Sequence, residues 1–244
     1  MKRVHVAGLS VALMLMGLAG AFVAWAQDAV PPEPQAYQAA LADPSVVIGV
    51  QNGFITIRPT AGEPVAGILF YPGARVAPAA YVAKLAAVAG RTKVGVVVGR
   101  PRLNLAMFSI NQADEMRAAF PAISRWYAGG HSLGGAVACL YANSHQKSLE
   151  GVVLMGTYCG TDISASSLRV LAMTGDKDGL FPPAKIAAAS AELPPGAHLV
   201  QVAGMNHAQF GNYGMQAGDN PPVINDAEAR DAVVTAAAAF FSTP

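Results

Sequence analysis

Apolar and polar positions follow two rhythms along this chain. Two short apolar-rich runs, 46–50 and 54–58, flank Gln51-Asn52-Gly53, the pattern of an antiparallel hairpin closed by a tight turn. Further apolar runs bounded by Gly, Pro or charged residues at 66–71, 93–98, 125–128, 151–156, 168–174 and 197–202 predict strands. Between them the spacing changes to that of helices. Tyr81, Leu85 and Val88 share a face in 78–89, and Leu133, Ala136, Val137, Leu140 and Tyr141 share one in 133–141. Segments 111–119, 183–192 and 226–241 complete the helices, with Pro183 opening one of them, where its missing N–H would be unpaired anyway. Strand and helix in alternation predict an α/β fold: a mostly parallel sheet covered on both faces, with functional groups at the carboxyl ends of its strands.

The N-terminus stands apart from this pattern. Lys2 and Arg3 precede an apolar run from Val6 to Ala24, which ends in Ala24-Trp25-Ala26 before Gln27-Asp28. A basic start, an apolar middle and a small-x-small end describe an export signal cleaved after Ala26. The run is also long enough to remain as a membrane anchor through residues 4–26, although Gly17 and Gly20 weaken a spanning helix. Both readings place the remainder outside the cytoplasm, in the periplasm or beyond the cell. Residues 27–44, rich in Pro, Ala and Gln, read as a tether, and 45–244 as one domain, a size that buries a sizeable core without a metal.

Charged residues make up only 13% of the 244 residues, and loss of 1–26 leaves 14 basic against 15 acidic side chains. A near-neutral chain without a Lys/Arg cluster offers no footprint for nucleic acid. The two cysteines, Cys139 and Cys159, fall in neighbouring predicted elements. They can pair in an oxidising compartment or stay as small buried apolar groups, and neither has a partner at metal-ligand spacing.

Three motifs carry the candidate chemistry. Gly130-His131-Ser132-Leu133-Gly134 lies between a predicted strand and an amphipathic helix, the context in which a sharp turn pushes a serine hydroxyl into a cleft. Gly175-Asp176-Lys177-Asp178 ends a later strand, and Gly204-Met205-Asn206-His207 ends the last one. A serine hydroxyl needs a base as it attacks, neutral imidazole serves near pH 7, and a carboxylate on the far nitrogen holds the ring. Ser132, His207 and Asp178 fill these roles. Asp176 competes for the last, but it adjoins Gly175 and suits a turn cap. Leu133, opening the helix, would supply one oxyanion N–H, and the turn Pro72-Gly73-Ala74-Arg75 the other, with Ala74 favoured.

Taken with Phe70-Tyr71-Pro72-Gly73 and Gly204–Gly211, these motifs resemble the α/β-hydrolase superfamily over residues 45–241, and within it small lid-less bacterial members related to dienelactone-hydrolase-like proteins. The resemblance implies an eight-stranded, mostly parallel sheet, with Ser132, Asp178 and His207 as a triad acting on a small ester, thioester or lactone, and no metal or organic cofactor. The chain departs from the pattern twice. Pro72 stands where many such proteins carry histidine, and a serine stands where dienelactone hydrolases carry cysteine. Only about a dozen residues join 151–156 to 168–174, so no helical cap is expected.

The remaining candidates have bland readings. His131, His145 and His198 suit structural or capping places, and Arg75, Arg100 and Arg102 suit solvated loops. Met107, Phe108, Met155, Tyr158, Met205, Phe210 and Tyr213 form a pool of apolar residues near the sheet's carboxyl end. A non-catalytic envelope binding protein that kept the fold is the rival from another class.

Overall fold

The computed structural model describes residues 2–243, with side chains from Leu13 onward apart from Pro183. The basic start of the export signal and the first half of its apolar run therefore lie outside the described side chains. Eight strands form one sheet in the order β1-β2-β4-β3-β5-β6-β7-β8. They are β1 (Val46–Gln51), β2 (Phe54–Pro59), β3 (Ala66–Tyr71), β4 (Val94–Val98), β5 (Trp126–His131), β6 (Gly151–Met155), β7 (Arg169–Gly175) and β8 (His198–Val202). β1 and β2 pair antiparallel, as do β2 and β4, and every pairing from β4 to β8 is parallel. The hairpin turn sits at Asn52-Gly53, both left-handed (φ 52° and 82°), the geometry that matches the twist of its strands. Strands β3, β4 and β6 are buried along their whole length, which is why they read as unbroken apolar runs rather than alternating ones.

The described residues form seven α-helices: α1 (Lys2–Gln27), α2 (Pro34–Leu41), α3 (Val82–Thr92), α4 (Gln112–Met116), α5 (Leu133–Ser144), α6 (Pro183–Ala189) and α7 (Asp226–Ser242). α3 and α7 close one face over Ile68, Phe70, Val96 and Leu171. α4 and α5 close the other over Leu69, Val97, Ala128 and Leu154. The helix expected at 78–89 opens as a tighter 3-10 turn over Pro78–Tyr81 and runs on to Thr92. Lys93, expected to begin a strand, ends that helix in a left-handed conformation instead (φ 60°). α7 begins at a reciprocal cap, with Asn225 accepting from Ala227 and Glu228 N–H while Glu228 accepts from Asn225 N–H.

Residues 27–44 are not a free tether. They carry α2, whose Ala40 is buried against the α3 side of the core. Val30 bridges to Val76, and Glu33 N–H donates to the Asn212 carbonyl. The end of α1 is docked as well: Asn104 Nδ2 donates to the carbonyl of the buried Ala26, and the Arg75 guanidinium lies 4.7 Å over the Trp25 ring. Alanine and proline give no strong pattern, but short apolar side chains are enough to seat a helix when a partner face exists. Cys139 on α5 and Cys159 after β6 are joined by a disulfide, with Cα atoms 5.5 Å apart. This selects between the two readings left open by the sequence.

Candidate active site

Strand β5 runs three residues past its expected end, through Gly129 and Gly130 to His131, and the chain then reverses into α5 at Ser132. Ser132 has φ 53° and ψ −127°, a conformation that costs a non-glycine residue about 1–3 kcal/mol. It is held by its N–H to the Met155 carbonyl (3.0 Å) and by its own carbonyl, which accepts from Gly135 N–H (3.0 Å) and Ala136 N–H (3.2 Å). Gly134 lets α5 approach the end of β3, since a Cβ there would fall on the carbonyl oxygens of Tyr71 and Pro72. Ser132 is half-buried at the carboxyl end of the sheet.

Asp178 and His207 follow β7 and β8 and meet there. His207 Nδ1 donates to Asp178 Oδ2 at 2.8 Å, with both side chains fully shielded from water. The other carboxylate oxygen accepts from Leu180 N–H (2.9 Å) and Phe181 N–H (2.7 Å). Three donors converge on one carboxylate, which fits its ionised form. With its hydrogen on Nδ1, the neutral ring presents a lone pair at Nε2. That atom is buried and has no hydrogen-bond partner among the described residues. The ring lies between Phe181, stacked at 5.5 Å, and His131, at 4.4 Å. His131 immediately precedes Ser132, so this contact brings the imidazole to the serine turn. Asp176 is not part of the pair: its Oδ1 accepts from Gly204 N–H at 2.6 Å and ties the end of β7 to the end of β8.

The expected oxyanion donors are sorted by where the neighbouring amides go. Gly73 N–H donates to Tyr81 Oη (2.9 Å), Arg75 N–H to the Asn104 carbonyl and Val76 N–H to the Gly73 carbonyl. Ala74 N–H alone in this turn, and Leu133 N–H at the head of α5, have no acceptor among the described residues.

A family model described as "Alpha/beta hydrolase family" matches residues 67–231. The chain belongs to the α/β hydrolase family. No curated protein sequence matches it. Among solved structures, an esterase rPPE mutant shares 14% identity with a TM-score of 0.58, over 85% of this chain and 88% of its own. Est1E from Butyrivibrio proteoclasticus shares 13% with a TM-score of 0.52, over 80% and 97%. A thermophilic esterase from Thermogutta terrifontis shares 13% with a TM-score of 0.51, over 67% and 90%. At such identities the likeness is one of fold. This α/β hydrolase has no cap domain: the loop from β6 to β7 is short and carries the disulfide.

Two groups of this α/β hydrolase's residues escaped sequence reasoning. Asp219, in the Gly-, Asn- and Pro-rich segment that follows His207, accepts from Gly179 N–H (3.0 Å), His207 N–H (3.3 Å) and Ala208 N–H (2.9 Å). One carboxylate thus clamps the loop after Asp178 to the loop bearing His207. Tyr81 and His131 form the second group. Tyr81 Oη accepts from Gly73 N–H, so its own hydrogen points to His131 Nδ1, 2.9 Å away. His131 is fully buried, and that burial, with His207 beside it, holds its pKa well below the usual histidine range. It is therefore a neutral structural residue, as its place in the motif led us to expect. Only an aromatic at 81 hinted at this network.

The other candidates resolve simply. His145 caps α5 through the Tyr141 carbonyl (2.9 Å), and His198 is exposed at the start of β8. Arg75 is occupied by Asp28 (3.1 Å) and Trp25, while Arg100 and Arg102 are exposed. Of the apolar pool, Met155, Met205, Phe210 and Tyr213 belong to the core under α3 and α7, and Met107 and Phe108 are exposed. Tyr158 lines a cavity described below.

Proposed function

We propose that this protein is an exported serine hydrolase that cleaves small carboxylic esters through an acyl-enzyme on Ser132. The observation that carries the reading is the buried Asp178–His207 pair, its Nε2 free, set against the residue that precedes a strained Ser132. In the first half-reaction Ser132 Oγ attacks the ester carbonyl carbon and its proton passes to His207 Nε2. The oxyanion forms at Ala74 and Leu133 N–H, each such donor contributing about 3–4 kcal/mol to the transition state in comparable sites. The carbon–oxygen bond to the alcohol breaks, and His207 returns the proton to the departing oxygen. Water then repeats the sequence: His207 takes its proton, its oxygen attacks the acyl carbon, and Ser132 leaves with the proton as the acid is released. Asp178 stays ionised throughout and stabilises the imidazolium. Thioesters and lactones suit the same steps.

The esterases among the structural neighbours support the ester class, and the disulfide supports an oxidising compartment. Ala26 is buried in the folded chain, and Gln27 beside it is exposed. A fluorophosphonate probe tests the enzyme reading. It should label the folded protein, and labelling should vanish in Ser132→Ala. Folded protein that stays unlabelled at neutral and mildly alkaline pH would return the chain to the binding-protein reading.

A further inference from the structure

Helix α6 carries four alanines, Ala184, Ala187, Ala188 and Ala189, beside Lys185 and Ile186. Alanines cannot reach the sheet beneath them, and a cavity of about 370 Å³ remains between α6 and strands β6 to β8. That volume falls in the range of roughly 300–1,000 Å³ typical of small-molecule sites. Leu154 and Ala172 form its floor, Ile186 and Leu193 its helix side, and Leu199, 57% exposed, its outer rim. No charged side chain lines it. Polar side chains enter the lining only at Thr157, Tyr158, Thr174, Ser190 and Gln201, and the apolar remainder suits an uncharged hydrocarbon.

The cavity's wall touches the first turn of α5. Thr157 lines the cavity, and the Thr157 methyl occupies the place a Cβ on Gly135 would take, in the first turn of α5 after Ser132. Tyr158, also in its wall, packs on Phe181 at 5.5 Å, and Phe181 stacks on His207. We propose that this cavity receives a medium-length alkyl chain of the ester, and that Ile186 sets how long that chain can be. The proposal rests on Ser132 as the nucleophile.

The test compares p-nitrophenyl acetate with p-nitrophenyl octanoate, and separately octyl acetate with ethyl acetate, using the purified protein. Preference for the octyl group in the first pair assigns the cavity to the acyl side, and in the second to the alcohol side. Ile186→Trp, which fills the space, should lower the octanoate-to-acetate ratio of kcat/KM, or the matching alcohol-side ratio, at least ~10-fold. Ile186→Ala should shift the optimum to longer chains. No octyl preference in either pair, or ratios that both variants leave within about twofold, overturns the proposal. If no ester is turned over, the Ser132 reading has failed separately. Calorimetric binding of octanoate to Ser132→Ala then decides the cavity: binding abolished by adding Ile186→Trp upholds it, and no binding overturns it.

Discussion

Removing a single oxygen at Tyr81 tests how the oxyanion turn is held. Tyr81 is fully buried, and among the described residues its hydroxyl is the only acceptor for Gly73 N–H and the only partner of His131 Nδ1. Tyr81→Phe keeps the ring and its packing on Phe70 (5.0 Å) and Tyr213 (6.4 Å). The change therefore isolates two hydrogen bonds. Each buried group left without a partner costs about 1–3 kcal/mol, so urea unfolding should show a loss of about 2–6 kcal/mol for the two. The catalytic consequence runs through the next residue. Gly73 N–H anchors the turn from which Ala74 presents its own. Losing an oxyanion donor outright costs about 100- to 1,000-fold in kcat, so a loosened one should cost about tenfold. Because the donor acts on charge that develops only in the transition state, KM should barely move. A variant with unchanged unfolding free energy and unchanged kcat would refute the reasoning. A raised KM at constant kcat would show that the turn binds ground-state substrate instead.

Asp178→Asn should lower kcat by roughly three to four orders of magnitude through the wrong histidine tautomer, whereas Asp176→Asn, which loosens a strand-end tie, should cost far less; the reverse ranking in steady-state kinetics would move the acid. Asp219→Ala should lower kcat more than it raises KM, with Asp219→Asn retaining part of the activity through its remaining acceptor oxygen, and equal losses in both variants with KM rising instead would refute a positioning role. His131 predicts an acid-sensitive fold. Its folded pKa is depressed, so below about pH 6.5 only the unfolded state takes the proton, and its contribution, complete above that pH, is lost as pH falls by up to about 1.4 kcal/mol per unit. Unfolding free energies of His131→Gln should fall less steeply in that window than those of the parent.

Much of the sheet was legible because buried parallel strands have no polar face to disguise them. Ala66–Tyr71 reads the same on paper and in space. The motif residues were legible for a related reason: a serine turn, a Gly-x-x-Asp and a terminal histidine each mark the end of a parallel strand. Other features depend on what a segment meets. Nothing in 27–44 announces a docked helix, since Tyr37 and Ala40 become a stripe only opposite α3. Asp219 acts through backbone N–H groups from two distant loops, and backbone donors leave no trace in a sequence. The cavity under α6 is an absence of side chains, which composition reports only as alanine.

His131 and His207 lie ring to ring at 4.4 Å, yet the geometry makes only one of them fit to be a base. His207 has a carboxylate on Nδ1, which stabilises the imidazolium once a proton arrives at Nε2. His131 has a neutral hydroxyl on Nδ1, donated by Tyr81, so its hydrogen is confined to Nε2 and no anion compensates a second charge. The same proton would thus be held on one ring and resisted on the other. A positive charge on His131 would also oppose the imidazolium that the proposed reaction requires on His207. The hydroxyl that keeps His131 neutral is the one that holds Gly73. The proposed base and the proposed oxyanion turn are thereby tied to a single tyrosine on the 3-10 turn before α3.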